Sequence, residues 1–179
     1  MTDSQSKTAP TAPRPARRLR GLLLNLLMIL AIFFGVQWYQ ARPLASGDAP
    51  ALEARTSTGQ AFDLARWRGK PALVHFWAVW CPICKLEEGN IDALSTDYNV
   101  ITVAMQSGGA EDINRYLREH GLSFGAIADP YGEIASAWGV RGVPASFVLD
   151  GEGRIRFAGV GYSAGFGLRG KLWAVGQLQ

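Results

Sequence analysis

The chain contains two cysteines, and both lie in the segment Trp80-Cys81-Pro82-Ile83-Cys84. The segment follows Ala72–Trp77, a continuous apolar run that is typical of a buried strand, and it opens a stretch with helical periodicity. A Cys-x-x-Cys pair in that position is typical of a redox-active dithiol. A thiol at a helix N-terminus experiences the positive end of the helix dipole, which favours the thiolate. We therefore predict that Cys81 is the nucleophile and that Cys84 resolves the mixed disulfide that Cys81 forms.

Two other interpretations of the cysteine pair stay open. A structural disulfide between Cys81 and Cys84 would stabilise the fold little, because it closes a very short loop. A two-coordinate site for a soft metal such as Cu(I) would use the same two thiolates, so a copper-binding or copper-delivery protein is the alternative from another functional class. No Met-rich or His-rich tract supports copper, since the chain has three methionines and two histidines. We expect no resident metal and no cofactor beyond the Cys81–Cys84 disulfide.

Strands and helices alternate around the cysteine pair in the order of an α/β domain. Parallel strands come first and an antiparallel hairpin follows, so the pattern predicts a mixed central sheet flanked by helices. Pro82 suits the first position of the helix that the cysteines open. The expected elements are a small hairpin (51–55 and 60–64), strands at 72–77, 99–105, 125–128, 145–149 and 154–159, and helices at 82–96, 110–120, 133–138 and 166–175.

Charge is unevenly distributed along the 179 residues. Six of the 18 basic residues but only one of the 15 acidic residues lie in the first 42 positions. The rest of the chain is slightly acidic and lacks a basic stripe, which argues against a nucleic-acid partner. The hydrophobic fraction of 48% suffices for one packed domain with an appendage.

Residues 21–39 carry no charge and are long enough, at roughly 28 Å as a helix, to cross a bilayer. Four arginines (Arg14, Arg17, Arg18 and Arg20) precede this run, and only Arg42 follows closely, so the positive-inside rule places the N-terminus in the cytoplasm. We predict a disordered cytoplasmic tail at 1–20, a transmembrane anchor at 21–39, a linker at 40–50 and a domain outside the cytoplasm at 51–179. A cleaved signal peptide or a buried core helix are the alternatives for the apolar run.

Two segments resemble the signatures of thioredoxin-fold proteins: VHFWAVWCPICK at Val74–Lys85 and GVPASFVLD at Gly142–Asp150. With the N-terminal anchor and the connection from Ser107 to Arg141, the chain is similar to the TlpA and DsbE group of membrane-tethered periplasmic thioredoxins. Within that group the likeness is greatest to the ScsD type (suppressor for copper sensitivity D) of protein disulfide oxidoreductase. The resemblance covers about residues 48 to 175.

The resemblance implies a thioredoxin fold and a single-pass protein of the bacterial inner membrane, with its thioredoxin-like domain in the periplasm. It implies periplasmic protein thiols or disulfides as substrates and a membrane electron-transfer partner that is DsbD-like or ScsB-like. Such proteins are kept reduced by their membrane donor, so we expect a thiol:disulfide oxidoreductase with a reductase role. A disulfide oxidase or isomerase is the alternative.

The resemblance also implies that Val143-Pro144 is a cis peptide facing the cysteines, where the backbone of Val143 would pair with an extended substrate strand. An ordinary trans proline in a turn is the alternative. Trp80 would shield Cys81 and offer a surface to partners. We thus predict Trp80, Pro82, Val143 and Pro144 as substrate-binding residues.

One departure from the family pattern concerns His75. Many thioredoxins hold a buried acid six residues before the first cysteine, and this chain has His75 there. A neutral imidazole would accept the proton of Cys84, so His75 is a candidate catalytic residue. The alternative is a core histidine that only satisfies its hydrogen bonds.

The helix that follows the cysteines is expected to bury one apolar face. The predicted face consists of Ile83, Leu86, Ile91 and Leu94. Lys85 and Glu87 or Glu88 are expected on the solvated face, and His120 is expected to be a solvated residue at a helix end.

Overall fold

The structure is a computed structural model that describes residues 15–41 and 44–177. The chain divides into two units, residues 1–39 and 40–179. Helix α1 (Pro15–Ala41), most of which lies in the first unit, begins at a proline, a residue suited to the first helical turn. The side chains described in this helix, those of residues 20–36, are exposed.

No helix in the described part of the chain is both long and apolar enough to cross a membrane. The anchor predicted at residues 21–39 is therefore not confirmed. Helix α1 includes the last residues of the tail predicted to be disordered, and residues 1–14 of that tail lie outside the described residues.

The second unit is built on a mixed sheet, as predicted, and this sheet has six strands. The strand order is β1-β8-β7-β4-β5-β6, in which β4, β5 and β6 are parallel and the remaining pairings are antiparallel. The strands are β1 (Gly47–Asp48), β4 (Ala72–Trp77), β5 (Asn99–Met105), β6 (Gly125–Asp129), β7 (Ala145–Leu149) and β8 (Arg154–Val160). The two remaining strands, β2 (Glu53–Arg55) and β3 (Ala61–Asp63), form a separate antiparallel hairpin, followed by a short 3₁₀ helix at Leu64–Trp67.

Four helices accompany the sheet: α2 (Pro82–Ser95), α3 (Ala110–His120), α4 (Glu133–Ala137) and α5 (Gly165–Gly176). All six residues of β4 are buried, because both faces of this central strand are covered. Since side chains alternate along a strand, Leu73 and Trp77 enter the core that includes α2 and α5, whereas Val74 and Phe76 enter the opposite core.

Strand β1 lies within the segment that we predicted to be a linker. Gly47 pairs with Ile155 and Asp48 pairs with Arg154 at the edge of the sheet. The sequence signal for this strand is weak, because the strand is two residues long and its partner is more than a hundred positions away.

The register of the central strands determines where the site forms. Phe76 of β4 pairs with Ala145 at the start of the antiparallel strand β7. The segment that enters β7 therefore lies at the same end of the sheet as the segment that leaves β4. The cysteines and Val143-Pro144 are brought together in this way.

Candidate active site

Cys81 and Cys84 form a disulfide at the N-terminus of α2, and each is 3% exposed. Cys81 is the N-cap residue of the helix, and the backbone N–H of Cys84 donates a hydrogen bond to its sulfur over 3.1 Å. Pro82 occupies the first turn, where the absence of an N–H has no cost. A sulfur that accepts a hydrogen bond from a helix N-terminus is stabilised as a thiolate once the disulfide is reduced.

The Val143-Pro144 peptide is cis, as predicted. The carbonyl oxygen of Val143 lies 3.7 Å from the sulfur of Cys81. The carbonyl of Pro144 accepts a hydrogen bond from the N–H of Gly161, which ties this segment to the end of β8. The backbone of Val143 is thus adjacent to the sulfur that we expect to react first.

Trp80 is 55% exposed and lies next to Cys81 in the chain. Its indole N–H donates to the carbonyl of Gln106 over 3.0 Å. The preceding residue, Val79, donates its backbone N–H to Oγ of Ser107 over 3.1 Å. Two hydrogen bonds therefore fasten the cysteine loop to the loop that follows β5.

Trp77 is buried in the core. Its indole N–H donates to Oγ1 of Thr102, and its ring packs against Tyr116 and Phe124. The two tryptophans near the cysteines thus differ in role: Trp77 supports the core and Trp80 faces solvent.

His75 is buried in β4, with Nδ1 3.0 Å from Oγ of Ser146 and Nε2 3.4 Å from Oε1 of Glu87. Burial lowers the pKa of His75 to about 3, so the imidazole is neutral near pH 7. A neutral imidazole with so low a pKa is a weak proton acceptor. This environment does not favour the predicted role of His75 as a base.

Glu87 is the residue of the site that the sequence analysis missed. We expected it on the solvated face of α2, but its side chain is fully buried. Burial raises the pKa of its carboxyl group to about 7, although the N–H of Ser163 donates to Oε2 over 2.8 Å and partly opposes the shift. Oε1 has no hydrogen-bond partner in the described structure and faces His75.

The buried face of α2 agrees with the prediction at Ile91 and Leu94 but not at the start of the helix. Ile83 and Leu86 are 45% and 73% exposed, and the residues that face the protein are Cys84, Glu87, Ile91 and Leu94. This face follows a spacing of three and four residues that begins at Cys84. Its periodicity was the available signal for Glu87, because it places Glu87 one turn after Cys84 on the same face.

His120 and Glu88 are also paired rather than simply solvated. Nδ1 of His120 lies 2.8 Å from Oε1 of Glu88, and the hydroxyl of Tyr116 donates to Oε2 of Glu88 over 2.7 Å. The His120 ring stacks on Tyr116. This cluster joins α2 to α3.

Within residues 15–41 and 44–177, no group of three or more His, Cys, Asp or Glu side chains is arranged to hold a metal ion. The sulfurs of Cys81 and Cys84 are bonded to each other. The chemistry that the described arrangement supports is the opening and closing of that bond.

Comparisons with known proteins agree with this chemistry. The sequence model of the AhpC/TSA family matches residues 46–158. The thiol:disulfide interchange protein HelX of Rhodobacter capsulatus is 35% identical over 152 residues, which cover 77% of this chain and 86% of the relative. The thiol:disulfide interchange protein DsbE of Escherichia coli K12 is 29% identical over 157 residues, covering 78% and 84%. The crystal structure of a secreted disulfide oxidoreductase of Mycobacterium tuberculosis superposes with a TM-score of 0.60 at 25% identity, covering 69% of this chain and 95% of that one.

Proposed function

Because the chain belongs to the AhpC/TSA family and is a thiol:disulfide oxidoreductase of thioredoxin-like fold, we propose that it reduces disulfides of proteins outside the cytoplasm through Cys81 and Cys84. The observation that carries the proposal is the hydrogen bond from the Cys84 N–H to the Cys81 sulfur at the start of α2. This bond prepares Cys81 to act as the attacking thiolate.

The exchange proceeds in two steps. The Cys81 thiolate attacks one sulfur of the partner's disulfide, forms a mixed disulfide with it and releases the other sulfur as a thiolate. Cys84 then attacks the Cys81 sulfur, which regenerates the Cys81–Cys84 disulfide and releases the second partner thiol. Two electrons pass to the partner, and a membrane donor of DsbD-like or ScsB-like type returns two electrons to the pair.

Cys84 must lose a proton before the second step, and Glu87 is the acceptor that the geometry favours. Residues three apart on a helix are neighbours, and both side chains lie on the buried face of α2. A carboxyl group with a pKa of about 7 is matched to proton transfer near neutral pH. His75 lies 3.4 Å from Oε1 and is too weak a base, with its lowered pKa, to take the proton itself.

Glu87→Gln tests this step, because the amide cannot accept the proton. We expect resolution of the mixed disulfide to slow by about 10- to 100-fold and to lose its pH dependence near neutrality, whereas the first attack by Cys81 changes little. Stopped-flow tryptophan fluorescence follows both steps. An unchanged rate of resolution would exclude Glu87 as the acceptor.

Two features support a reductase rather than an oxidase or isomerase. The likeness to the TlpA and DsbE group implies a protein that is kept reduced. Glu87, when it is ionised, also disfavours a thiolate at Cys84 on the same buried face of α2, so the dithiol gains no stability from such a thiolate relative to the disulfide. The test is the reduction potential of the pair: we expect a value between about −200 and −300 mV, and a value near about −120 mV would indicate an oxidase.

Location is a further part of the proposal. The arginines before residue 21 and the single Arg42 after the apolar run support an inner-membrane protein with its cysteines in the periplasm. Alkaline phosphatase fused after Gln179 should be active in cells. An inactive fusion, together with an active cytoplasmic reporter at the same place, would contradict this orientation. Assignment to the ScsD type rests on the sequence resemblance alone.

A further inference from the structure

Gln106 has an unusual backbone conformation beside the active site. Its φ is 48°, and among the described residues it is the one non-glycine residue with a positive φ. This left-handed region is disfavoured for residues that carry a Cβ atom, and every other described residue with a positive φ is a glycine. Strained backbone of this kind persists where neighbouring structure requires it, often next to reacting groups.

The backbone of Gln106, which directly follows β5, forms hydrogen bonds with the end of β6 and with Trp80. Its N–H donates to the carbonyl of Asp129 at the end of β6 over 2.8 Å. Its carbonyl accepts the indole N–H of Trp80 over 3.0 Å. The side chain of Gln106 lies against Gly132 and makes none of these hydrogen bonds. Residue 106 therefore contributes to Trp80 a backbone carbonyl group in a defined orientation, and not its side chain.

Hydrogen bonds of Asp129 hold the backbone of Gln106 to the rest of the fold. Both carboxylate oxygens of Asp129 accept backbone N–H groups at the start of α4, from Ile134 and Ala135. Trp80 is thus connected through Gln106 to the end of β6 and to α4. The hydrogen bond from the indole N–H favours one orientation of the Trp80 ring, although more than half of its surface is exposed.

A partner that places a disulfide at Cys81 must contact Trp80, because Trp80 is the exposed neighbour of a sulfur that is itself almost completely buried. A ring that is already fixed loses no rotamer freedom when the partner binds. A small disulfide has less surface than a protein to place against the ring. The orientation of Trp80 should therefore matter for protein partners and not for small ones.

We propose that Gln106 is a positioning residue for protein partners: its left-handed backbone directs the carbonyl that fixes the Trp80 ring beside Cys81. The proposal rests on the proposed disulfide exchange and specifies which contact selects proteins over small disulfides. It also requires that backbone conformation, not the amide side chain, is what residue 106 contributes.

The test compares two disulfides that share a leaving group, glutathione disulfide and unfolded ribonuclease A whose cysteines carry glutathione. The reduced full-length chain reacts with each in single-turnover stopped-flow experiments over a range of probe concentrations. Gln106→Val introduces a β-branched residue that resists positive φ, whereas Gln106→Gly accepts positive φ and removes the side chain. Trp80→Phe keeps an aromatic ring and removes the N–H donor.

For Gln106→Val we expect the half-saturating concentration of the protein probe to rise by about 2- to 10-fold at an unchanged maximal rate, as for one side chain that must be immobilised on binding. Relative to this, the rate with glutathione disulfide should change little. Gln106→Gly should behave as the parent. Trp80→Phe should reproduce the rise. Adding Gln106→Val to Trp80→Phe should give no further effect, because both changes disrupt the same hydrogen bond between the Trp80 indole and the Gln106 carbonyl.

Two results would overturn the inference: parent-like binding of the protein probe by Gln106→Val, or an equal defect in Gln106→Gly, which would assign the effect to the amide. If Gln106→Val does not fold, as judged by circular dichroism, Trp80→Phe and Gln106→Gly decide the question by the same criteria. Failure of the parent to react with either probe would instead refute the proposed function.

Discussion

Glu87 and His75 are buried side by side, and burial disfavours the charged form of each. It raises the pKa of Glu87 from 4.5 to about 7 and lowers that of His75 from 6.5 to about 3. Between pH 4.5 and 6.5, the unfolded chain therefore has a charged His75 and an ionised Glu87, whereas the folded chain has a neutral His75 and a protonated Glu87. Each state holds one proton on the pair, so the pair contributes no pH dependence to the free energy of unfolding in this window.

Glu87→Gln should reveal the pH dependence of the free energy of unfolding that Glu87 and His75 together cancel in the parent. In the parent, the raised pKa of Glu87 gives stability that is fully present below pH 4.5 and is lost as the pH rises to about 7. The loss is about 1.4 kcal/mol per pH unit, or about 3 kcal/mol over the window. Glutamine still accepts the Ser163 N–H but does not titrate. The free energy of unfolding of the variant, measured relative to that of the parent, should therefore rise by about 3 kcal/mol between pH 4.5 and 7.5.

His75→Asn should show the opposite slope. The lowered pKa of His75 costs stability as the pH falls below 6.5, because the unfolded chain binds a proton that the folded chain does not. The free energy of unfolding of the asparagine variant, relative to that of the parent, should therefore rise by about 3 kcal/mol as the pH falls from 6.5 to 4.5.

Urea unfolding of the oxidised full-length chain, followed by tryptophan fluorescence at several pH values, measures these differences. Glu119→Gln, an exposed change on α3, is the control and should stay within about 0.5 kcal/mol of the parent at every pH. A difference between Glu87→Gln and the parent that does not vary with pH would refute the argument, since Glu87 would then titrate alike in the folded and unfolded chains.

Three further predictions follow from individual contacts. Cys84→Ser should trap mixed disulfides with protein partners on non-reducing gels and Cys81→Ser should not, because Cys84 is needed only to resolve the complex that Cys81 forms. Iodoacetamide at mildly acidic pH should label Cys81 before Cys84 in the reduced chain, as peptide mass spectrometry can show, because the Cys81 sulfur accepts the helix N–H. Asp129→Ala should lower the free energy of unfolding by about 1 to 2 kcal/mol in urea titrations, because two backbone N–H groups of α4 lose their acceptor, whereas Asp129→Asn should lose less.

Much of the fold could be predicted because its elements have clear boundaries in the sequence. The predicted bounds of β4, β5, α3 and β7 agree with the structure. Helix α3 ends where expected because Gly121 adopts a left-handed φ of 65° and terminates it. Strand β1 could not be predicted in this way, since its pairing with β8 depends on tertiary contacts rather than on a local pattern.

The residues of the site could be predicted where a motif identifies them. They could be predicted less well where their role depends on whether the folded chain buries them. Cys81 and Cys84 follow from their motif, and the cis Val143-Pro144 peptide follows from the family resemblance. The apolar character of Ile83 and Leu86 predicts that these residues are buried, which places Glu87 on the wrong face. At the start of α2 those two residues face solvent, while the face that includes Cys84 packs inward.

His75 and Glu87 each break the pattern of the element in which they lie. His75 is the polar residue in an otherwise apolar buried strand, and Glu87 interrupts the buried face of α2 between Cys84 and Ile91. Either break alone has a structural explanation, because single polar residues in cores are often only hydrogen-bonded. Here the two breaks face each other across 3.4 Å, and one oxygen of Glu87 is left without a hydrogen bond. An apolar residue at position 87 would avoid the cost of burying a carboxyl group, so a glutamate there supports a role in the exchange at Cys84 rather than in stability.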